Sequence, residues 1–434
     1  MAEIRPFRGC RFSLKNPYDL KQHAAPPYDM IDGETRDTLY DLHPHNIIRI
    51  IQNKPEPGDT ANSDRHARAA SILQEWEKDG VLTLDPGPSL YVYRQRYTSG
   101  EDGDTPSFER TGIIARVKLV DFREGVILPH ENTLSAPKVD RYELLKATRC
   151  NTGQIFGIVQ DDGDFFSAIS TAVTGKPVGN FTDNDSVRHA LFKITDPAAI
   201  NRLVRLAADR IILIADGHHR YETALQFARE SGAPAHQYVM MTLVSMADPG
   251  LVIRPFHRCL KQQKLLPAHE MLHRLGDYFK VREFKESSIG SVGQFVKSRD
   301  YRRMAYLDRA TQKVYGLSLN VNGEKYLKEN PGGMSYKWNH LDVSMLNSLV
   351  IHKILGLPVD GTTLHDIFNY EKNVAVAYAR VLEKQDYYGA FFLRPIQIAT
   401  VRDIVGGNER MPQKSTNFFP KFYSGLVLNS LEVP

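Results

Sequence analysis

The pattern of hydrophobic and polar positions along the chain predicts a mixture of helices and strands. Apolar residues spaced three and four positions apart indicate amphipathic helices, whereas short β-branched or continuous apolar runs indicate strands. The helices predicted in this way cover residues 34–42, 69–76, a short segment around 142–145, 221–228, 346–354 and 374–382. The predicted strands cover residues 47–51, 91–97, 112–120, 155–159, 210–215 and 390–393.

The order of these elements predicts an α/β fold of the mixed α+β kind with several domains. The chain has 434 residues, whereas one domain usually holds about 100 to 200. A polar turn cluster at 99–104 separates two predicted strands and indicates a β-hairpin. Pro26-Pro27 predicts an extended segment near the start. We expect a mixed α/β region at 1–105, a core domain at 106–260 and a helix-rich α+β region at 261–434.

The junction after the predicted strand 210–215 is the most informative stretch of the chain. The strand is continuously apolar after its first residue, which indicates burial on both faces, and it leads directly into Asp216-Gly217-His218-His219-Arg220 and a helix. Gly217 allows a tight turn, and a helix start presents unpaired N–H groups that bind phosphate. Arg220 can grip phosphate oxygens in a bidentate way, and Asp216 can bind Mg²⁺ or accept a proton. The alternative is an ordinary capped strand–helix turn.

A second polar constellation follows Pro129. It contains His130 and Glu131, and Lys138, Asp140 and Arg141 come shortly after it. An acid beside basic residues in a loop suits acid–base or metal-assisted chemistry. A solvated polar loop is the alternative, and the functional interpretation depends on pairing with the junction.

Two further motifs resemble known binding sites without matching them. His43-Pro44-His45 has the H-x-H pattern of a metal site, but Pro44 makes the strand geometry that such a pair needs less favourable. The segment that carries Lys414, Ser415 and Thr416 resembles a P-loop. Gln413 stands where glycine is required, and the residues after Thr416 cannot start the helix. A phosphate-facing loop remains the prediction there.

Composition and charge narrow the class of protein. Lys and Arg number 55 against 51 Asp and Glu, a net charge of +4 without a basic tail, so nucleic acid is not expected as a partner. The three cysteines show no CxxC spacing, which indicates a reducing compartment. The first ten residues lack the apolar core of a signal peptide, and no later window has the length of a membrane span. We expect a cytoplasmic protein with no membrane partner.

Taken together, these motifs resemble the bacterial and archaeal family known as domain of unknown function 1015. The shared motifs, in order, are Ala25-Pro26-Pro27-Tyr28-Asp29, His43-Pro44-His45-Asn46, His130-Glu131-Asn132-Thr133, Ile214-Ala215-Asp216-Gly217-His218-His219-Arg220-Tyr221 and Pro412-Gln413-Lys414-Ser415-Thr416. The Asp-Gly-His-His-Arg segment also resembles the signature of free-serine kinases with a ParB/sulfiredoxin-like fold. The resemblance implies that fold for the core domain and a nucleotide held by its phosphates.

Two other members of that superfamily do not suit this chain. Sulfiredoxins use a cysteine where His218 stands, and an imidazole cannot perform the thiol's redox chemistry. ParB proteins have an acidic residue and two arginines at the turn, and this chain shows neither an obvious helix-turn-helix signal nor a basic arm.

The function expected from sequence is that of a small-molecule kinase. It would transfer a phosphoryl group from ATP or ADP, with Mg²⁺, to a hydroxyl of a serine-like amino acid or related metabolite. Glu131 or Asp216 would act as base while the other places the metal, and His219 would join them in catalysis. The nucleotide would contact Gly217, His218, Arg220, Lys414, Ser415 and Thr416, and the substrate would contact Tyr28, Asp29, His130 and Arg141. A nucleotide-responsive binding protein and a metal-dependent hydrolase are the alternatives. The sequence sets no oligomeric state.

Overall fold

The computed structural model describes residues 1–59, 62–98, 107–131, 136–262, 266–298 and 302–433. The chain divides into two compact units. The first comprises Met1–Pro129, Thr133–Val252 and Pro420–Pro434, and the second comprises His130–Asn132 and Ile253–Phe419. The first unit is therefore built from stretches that are distant in sequence.

The strands of the described residues fall in both units. In chain order they are β1 (Ile4–Arg5), β2 (Cys10–Phe12), β3 (Leu82–Leu84), β4 (Leu90–Thr98), β5 (Ser107–Lys118), β6 (Ile127–Pro129), β7 (Cys150–Asn151), β8 (Ile155–Val159), β9 (Gly179–Thr182), β10 (Arg188–Ile194), β11 (Ile212–Asp216), β12 (Tyr238–Ser245), β13 (Val252–Arg254), β14 (His257–Lys261), β15 (Phe279–Glu283), β16 (Arg303–Asp308), β17 (Lys313–Leu319), β18 (Phe368–Glu371), β19 (Tyr387–Phe392), β20 (Asn417–Phe419) and β21 (Asn429–Ser430).

The helices are distributed along the whole chain. They are α1 (Leu20–His23), α2 (Gly33–Leu42), α3 (Ile48–Ile51), α4 (Asn62–Lys78), α5 (Ala136–Thr148), α6 (Asp164–Ala172), α7 (Pro197–Ala208), α8 (His218–Ser231), α9 (Ala268–Tyr278), α10 (Ile289–Lys297), α11 (Val321–Glu329), α12 (Tyr336–Asn339), α13 (Asp342–Met345), α14 (Gly361–Ile367), α15 (Val374–Glu383) and α16 (Ile398–Gly406). A π-helical stretch, Leu346–Ile354, continues directly from α13.

A large mixed sheet forms the centre of the first unit. Its strands lie in the order β6-β11-β8-β12-β5-β4-β10-β9, and β1 pairs with β5 as a ninth strand. β11 lies parallel to β6 and antiparallel to β8, and its first four residues are buried. The predicted buried strand is confirmed, and the mixed α/β class is confirmed with it.

Helix α8 is attached to this sheet through Tyr221. The ring of Tyr221 is fully buried, and its hydroxyl accepts a hydrogen bond from Val120 N at 3.0 Å and donates one to Val120 O at 2.9 Å. Phe227, two turns further on, packs in the same apolar core. The first turn of α8 is therefore held in a fixed position at the end of β11.

Most elements predicted from sequence are confirmed. The strands at 91–97 and 112–120 form the antiparallel pair β4–β5, although the predicted turn at 99–104 lies outside the described residues. Seven further predictions match elements of the structure: α2 for 34–42, α4 for 69–76, α5 for 142–145, β8 for 155–159, α8 for 221–228, α15 for 374–382 and β19 for 390–393. The segment 346–354 is helical, with π-type geometry.

The strand predicted at 47–51 is wrong, because this segment is the helix α3. The side chain of Asn46 accepts a hydrogen bond from Ile48 N at 2.9 Å, and its amide donates to the carbonyl oxygens of Gln22 and Ala24. The asparagine thus starts a helical turn that the β-branched residues after it do not favour. Their burial in the core stabilises the turn.

The second unit contains a six-stranded antiparallel sheet in the order β15-β17-β16-β19-β14-β18. One face packs on α10 and α15 around Val381 and Phe392. The helices expected in this region are present, but the extent of the sheet was not predicted. In the described part of the chain, no helix combines the length and apolar character needed to cross a membrane.

Candidate functional site

The junction between β11 and α8 has the geometry of an anion-binding turn. The register between β11 and β8 shifts between Ile214 and Asp216, so a bulge ends the strand. Gly217 follows with φ 87° and ψ 28°, in the left-handed region, and α8 starts at His218 without a side-chain cap. The first turn of α8 therefore has the geometry of an anion-binding helix start, with no side chain of its N-cap residue bonded to it.

Gly217 is required at this turn for two reasons. A side chain is strained at its positive φ. A Cβ atom there would also lie 3.0 Å from Nε of Arg220. Both effects would displace Arg220, the side chain predicted to grip phosphate.

Asp216 is held between two cations. Its Oδ1 accepts a hydrogen bond from Nζ of Lys421 at 2.6 Å, and its Oδ2 accepts one from Nη2 of Arg220 at 2.9 Å. Burial alone would raise the pKa of Asp216, but Lys421, Arg220 and His218 outweigh it and hold the pKa well below its ordinary value. Asp216 is therefore ionised at neutral pH.

Arg110 adds a third cation to this region of the first unit. It is 1% exposed, and its guanidinium lies 4.8 Å from the ring centroid of Phe156 and 4.7 Å from that of Phe422. Burial lowers the pKa of Arg110 to about 10, and Asp216 is among the acidic groups that oppose the shift. Arg110 is therefore still charged at neutral pH.

Lys421 and Arg110 were not among the predicted site residues. Arg110 donates to Pro420 O, and the side chain of Gln95 donates to Lys421 O at 3.0 Å, so both fix the segment that carries Lys421. A signal was present in the sequence for Lys421, because this cation interrupts the aromatic run 418–423, whereas Arg110 stands between Glu109 and Thr111 without such a signal. Such a residue is rarely buried without a partner, but its partner cannot be identified from sequence.

Two of the predicted substrate-binding residues lie with Arg220 around one cavity. Tyr28, Arg141 and Arg220 all line a cavity of about 60 Å³ in the first unit. The guanidinium of Arg141 lies 4.3 Å from the ring centroid of Tyr28, and its Nη1 donates to Ile51 O at 2.9 Å. The cavity is far smaller than the ~300–1,000 Å³ of most ligand sites, so it has room only for a small group. Asp29 follows Tyr28 and is exposed.

Gln154 lies beside this cavity with an unsatisfied amide. The backbone carbonyl oxygen of Gln154 accepts a hydrogen bond from Nη1 of Arg220, and the residue is 2% exposed. Neither its side-chain nitrogen nor its oxygen has a hydrogen-bond partner among the described residues, and the same holds for Nε of Arg220. Buried polar groups are rarely left in this state. Unsatisfied groups therefore lie next to the cationic cluster.

The other predicted residues form a cluster within the second unit. Oε1 of Glu131 accepts hydrogen bonds from Ser415 N at 3.2 Å, Thr416 N at 3.4 Å and Thr416 Oγ1 at 3.2 Å. Nε2 of His130 lies 2.6 Å from Thr416 Oγ1. Lys414 has a φ of 56°, in the left-handed region. The loop predicted to face phosphate thus binds the carboxylate of Glu131, and the P-loop is excluded, since β20 and not a helix follows it.

The two predicted groups of residues therefore lie in different units. Asp216, Gly217, His218, His219 and Arg220 belong to the first, whereas His130, Glu131, Lys414, Ser415 and Thr416 belong to the second. His218 and His219 form the first turn of α8, and His218 contributes to the low pKa of Asp216. The catalytic role of His219 stays a prediction.

The histidine motif near the start forms an aromatic cluster. The ring centroids of His23 and His43 are 4.4 Å apart, those of His43 and His45 are 5.4 Å apart, and His45 contacts Trp76 at 5.6 Å. Among the residues that the structure describes, no group of three or more His, Cys, Asp or Glu side chains could hold a metal ion. The H-x-H pair therefore has no further ligand in that part of the chain.

A magnesium ion at Asp216 would share the carboxylate with two cations. Both carboxylate oxygens already accept hydrogen bonds from cations. Mg²⁺ commonly binds to one or two carboxylates together with substrate phosphates and water. The residues present fit a metal that enters with a nucleotide better than one held by the protein alone.

Comparison with known proteins identifies a family. The model of the family described as protein of unknown function (DUF1015) matches residues 4–344. Among solved structures, the chain is similar to a conserved hypothetical protein from Pyrococcus furiosus, at 12% identity and a TM-score of 0.33 over 74% of this chain and 96% of that one. It is also similar to a free serine kinase in complex with AMP, at 11% identity and a TM-score of 0.34 over 74% of this chain and 92% of that one.

A further similar structure is SbnI from Staphylococcus aureus with a C-terminal truncation, at 11% identity and a TM-score of 0.34 over 70% of this chain and 83% of that one. The search of curated proteins gave no match. These scores assign no activity, so the function is argued below from the residues of the chain.

Proposed function

Because the chain belongs to the family of proteins of unknown function DUF1015, as its motifs predicted, and the family name specifies no reaction, we propose a function from the site itself. The protein is a small-molecule kinase. It transfers a phosphoryl group from a nucleotide to a hydroxyl of a serine-like amino acid or a related polar metabolite.

The observation that supports this proposal is the cationic cluster at the start of α8. One carboxylate, Asp216, forms ion pairs with Arg220 and Lys421 and interacts through charge with Arg110. The side chains of these three cations are at most 17% exposed. Nε of Arg220 has no hydrogen-bond partner among the described residues. A phosphate group would satisfy this nitrogen of Arg220 and balance the positive charge of the cluster. Phosphoryl transfer depends mostly on positioning and on such charge stabilisation.

The low pKa of Asp216 supports a positioning role for this residue. A general base works best when its pKa lies near the working pH, whereas Lys421 and Arg220 keep the pKa of Asp216 well below that range. Asp216 would orient the two cations, and the N–H groups after Gly217 would contact the nucleotide phosphates together with His218. The donor would be ATP or ADP, with Mg²⁺ bound to its phosphates.

Nucleotide titration of paired arginine variants tests the proposal. Arg220 and Arg229 both lie on α8, but Arg229 is 57% exposed and pairs with Asp121. We expect Arg220→Ala to weaken ATP or ADP binding at least about tenfold, because a charge-assisted hydrogen bond contributes ~1.5–3 kcal/mol. Arg229→Ala should bind like wild type. Equal affinity in wild type and Arg220→Ala would refute the phosphate site.

Turnover separates the kinase from a second candidate, a nucleotide-responsive binding protein. The second candidate is favoured by the hydrogen bonds that Glu131 accepts from Ser415 and Thr416, since they give this carboxylate a structural use. Wild type, Glu131→Gln and Asp216→Asn would be given ATP or ADP, Mg²⁺ and a panel of hydroxylated amino acids. The kinase predicts phosphorylated product that Asp216→Asn reduces, because this variant removes the charge that orients Arg220 and Lys421, whereas Glu131→Gln should keep nucleotide affinity. Binding without product across the panel favours the second candidate.

A further inference from the structure

A cavity in the second unit has the size of a ligand site. Its volume is about 570 Å³, within the ~300–1,000 Å³ of common small-molecule pockets. Its walls come from the end of α10, from α12, from the first turn of α16 and from the segment after β19. Of the described residues, none that we predicted for nucleotide or substrate binding lines it.

Apolar and aromatic groups form part of the wall. Leu341, Pro395, Ile396 and Ala399 line the cavity. Tyr336 lines it as well, and its ring stacks on His340 with centroids 3.8 Å apart. This part of the wall suits an apolar or aromatic body.

The carboxylates that line the cavity are already engaged. Both oxygens of Asp342 accept hydrogen bonds from Arg394, from Nε at 2.9 Å and from Nη2 at 2.6 Å, and this pair is at most 10% exposed. Asp403 accepts a hydrogen bond from Nζ of Lys337 at 2.7 Å. A ligand therefore meets neutralised acids, and an acidic group on the ligand would not face a free carboxylate among the described lining residues.

Several donors face the same space. Arg302 lines the cavity with a side chain that is 44% exposed. Its Nη1 makes a long contact of 3.4 Å with Oε2 of Glu324, and its Nη2 donates to the hydroxyl of Tyr336, so a ligand anion would share this guanidinium with them. Oγ of Ser298 is buried without a hydrogen-bond partner in the described part of the chain. Helix α16 begins at the cavity without a side-chain cap, since Gln397 supplies none and Ala399 and Thr400 line the wall. A guanidinium, an unsatisfied hydroxyl and a helix N-terminus are groups that bind anions.

We propose that this cavity binds a small organic anion with an apolar or aromatic body, held at its carboxylate or phosphate group by Arg302, Ser298 and the start of α16. This site is separate from the proposed phosphate turn, and all its lining residues belong to the second unit. It does not depend on the kinase proposal.

The probe for this site is 8-anilinonaphthalene-1-sulfonate, an aromatic anion whose fluorescence rises on binding. The titration uses the full chain in an Arg220→Ala background, so that the turn in the first unit does not contribute. Phenyl phosphate, benzoate and benzyl alcohol then compete with the probe. We expect phenyl phosphate or benzoate to displace it, which also identifies the preferred acid, and benzyl alcohol to fail at the same concentration.

Variants locate the binding. Arg302 has a φ of 63°, and asparagine tolerates this left-handed conformation, so Arg302→Asn removes the charge with little strain. It should weaken binding about tenfold, the size expected for one partly exposed charge near an anion. Ala399→Trp fills the cavity from the exposed surface of α16 and should abolish binding. Lys325→Ala, on α11 and 71% exposed, is the control and should bind like wild type.

Three results would overturn the proposal. One is no fluorescence rise with the probe, and another is equal binding in Ala399→Trp. The third is displacement by benzyl alcohol as effective as by phenyl phosphate, since this would mean an apolar pocket without an anion site. Unfolding curves of each variant exclude loss of structure as the cause of lost binding.

Discussion

Removing Lys421 is the most direct test of the electrostatics at the turn. Lys421→Met keeps the length and apolar part of the side chain but deletes the charge that contacts Asp216 at 2.6 Å. Asp216 keeps its second partner, Arg220, at 2.9 Å. We expect the variant to fold and to be less stable than wild type.

The magnitude follows from the burial of the pair. Breaking a fully buried ion pair costs ~3–5 kcal/mol, whereas an exposed pair contributes ~0–1 kcal/mol. The side chains of Lys421 and Asp216 are 15% and 19% exposed, and Arg220 remains. We therefore expect Lys421→Met to lower the free energy of unfolding of the first unit by about 2 kcal/mol. In a double-mutant cycle with Asp216→Asn, the coupling energy should be about 1–2 kcal/mol.

The pH dependence of this effect has a defined sign. The pKa of Asp216 is below its ordinary value in the folded state, so its contribution to stability is present above the unfolded pKa, ~3.9, and is lost as pH falls through the folded pKa. Loss of Lys421 raises the folded pKa towards the unfolded value. The difference in stability between wild type and Lys421→Met should be full at neutral pH and should shrink once the pH falls below about 4.

Urea unfolding followed by tryptophan fluorescence measures these energies. The chain contains two tryptophans, Trp76 in the first unit and Trp338 in the second. In a Trp338→Phe background the buried Trp76 reports on the first unit. A coupling energy below about 0.5 kcal/mol, or a stability difference that grows on acidification, would refute the assignment of the pair as a stabilising contact.

Three further tests concern other parts of the first unit. Gly217→Ala should destabilise the protein by ~1–2 kcal/mol and weaken nucleotide binding, because its Cβ would crowd Arg220. The control is Gly232→Ala at the other end of α8, where φ is 64° and the space around the glycine is open. It should lower stability but leave nucleotide binding unchanged. Tyr221→Phe removes both hydrogen bonds to Val120, so it should lower the free energy of unfolding by ~1–2 kcal/mol and with it the thermal midpoint. An unchanged midpoint would contradict the attachment of α8. Burial raises the pKa of Asp248 to about 6. The free energy of unfolding of wild type should therefore fall by up to ~3 kcal/mol as the pH rises from about 4 to 6. Asp248→Asn lacks this titration, so urea unfolding should show it gaining stability relative to wild type over that interval; a constant difference would argue against the shift.

The strand, turn and helix around residue 217 were predictable because their signals are local. A continuous apolar strand, a glycine at the turn and helical spacing afterwards lie within about twenty residues, and the structure has β11 and α8 there. The segment 47–51 shows the limit of this reasoning. Its β-branched residues favour a strand, whereas the tertiary hydrogen bonds of Asn46 produce a helix.

Contacts distant in sequence explain what the sequence did not reveal about the site. Lys421 contacts Asp216 across 205 positions, and Arg110 contacts Pro420 across 310. No spacing rule connects such residues, so neither entered the predicted site. The sheet of the second unit was missed for the same reason, since β14 pairs with β18 and β19 more than a hundred residues later.

The discontinuous first unit also constrains when that unit can finish folding during synthesis. A ribosome releases the chain from its N-terminus, so Asp216 and Arg220 emerge long before the stretch Pro420–Pro434 that completes their unit. During that interval Ile253–Phe419 must be synthesised while Asp216 has a single cationic partner. Folding of the first unit therefore cannot finish before Ile253–Phe419 has been synthesised, and Lys421 joins the turn only after that stretch.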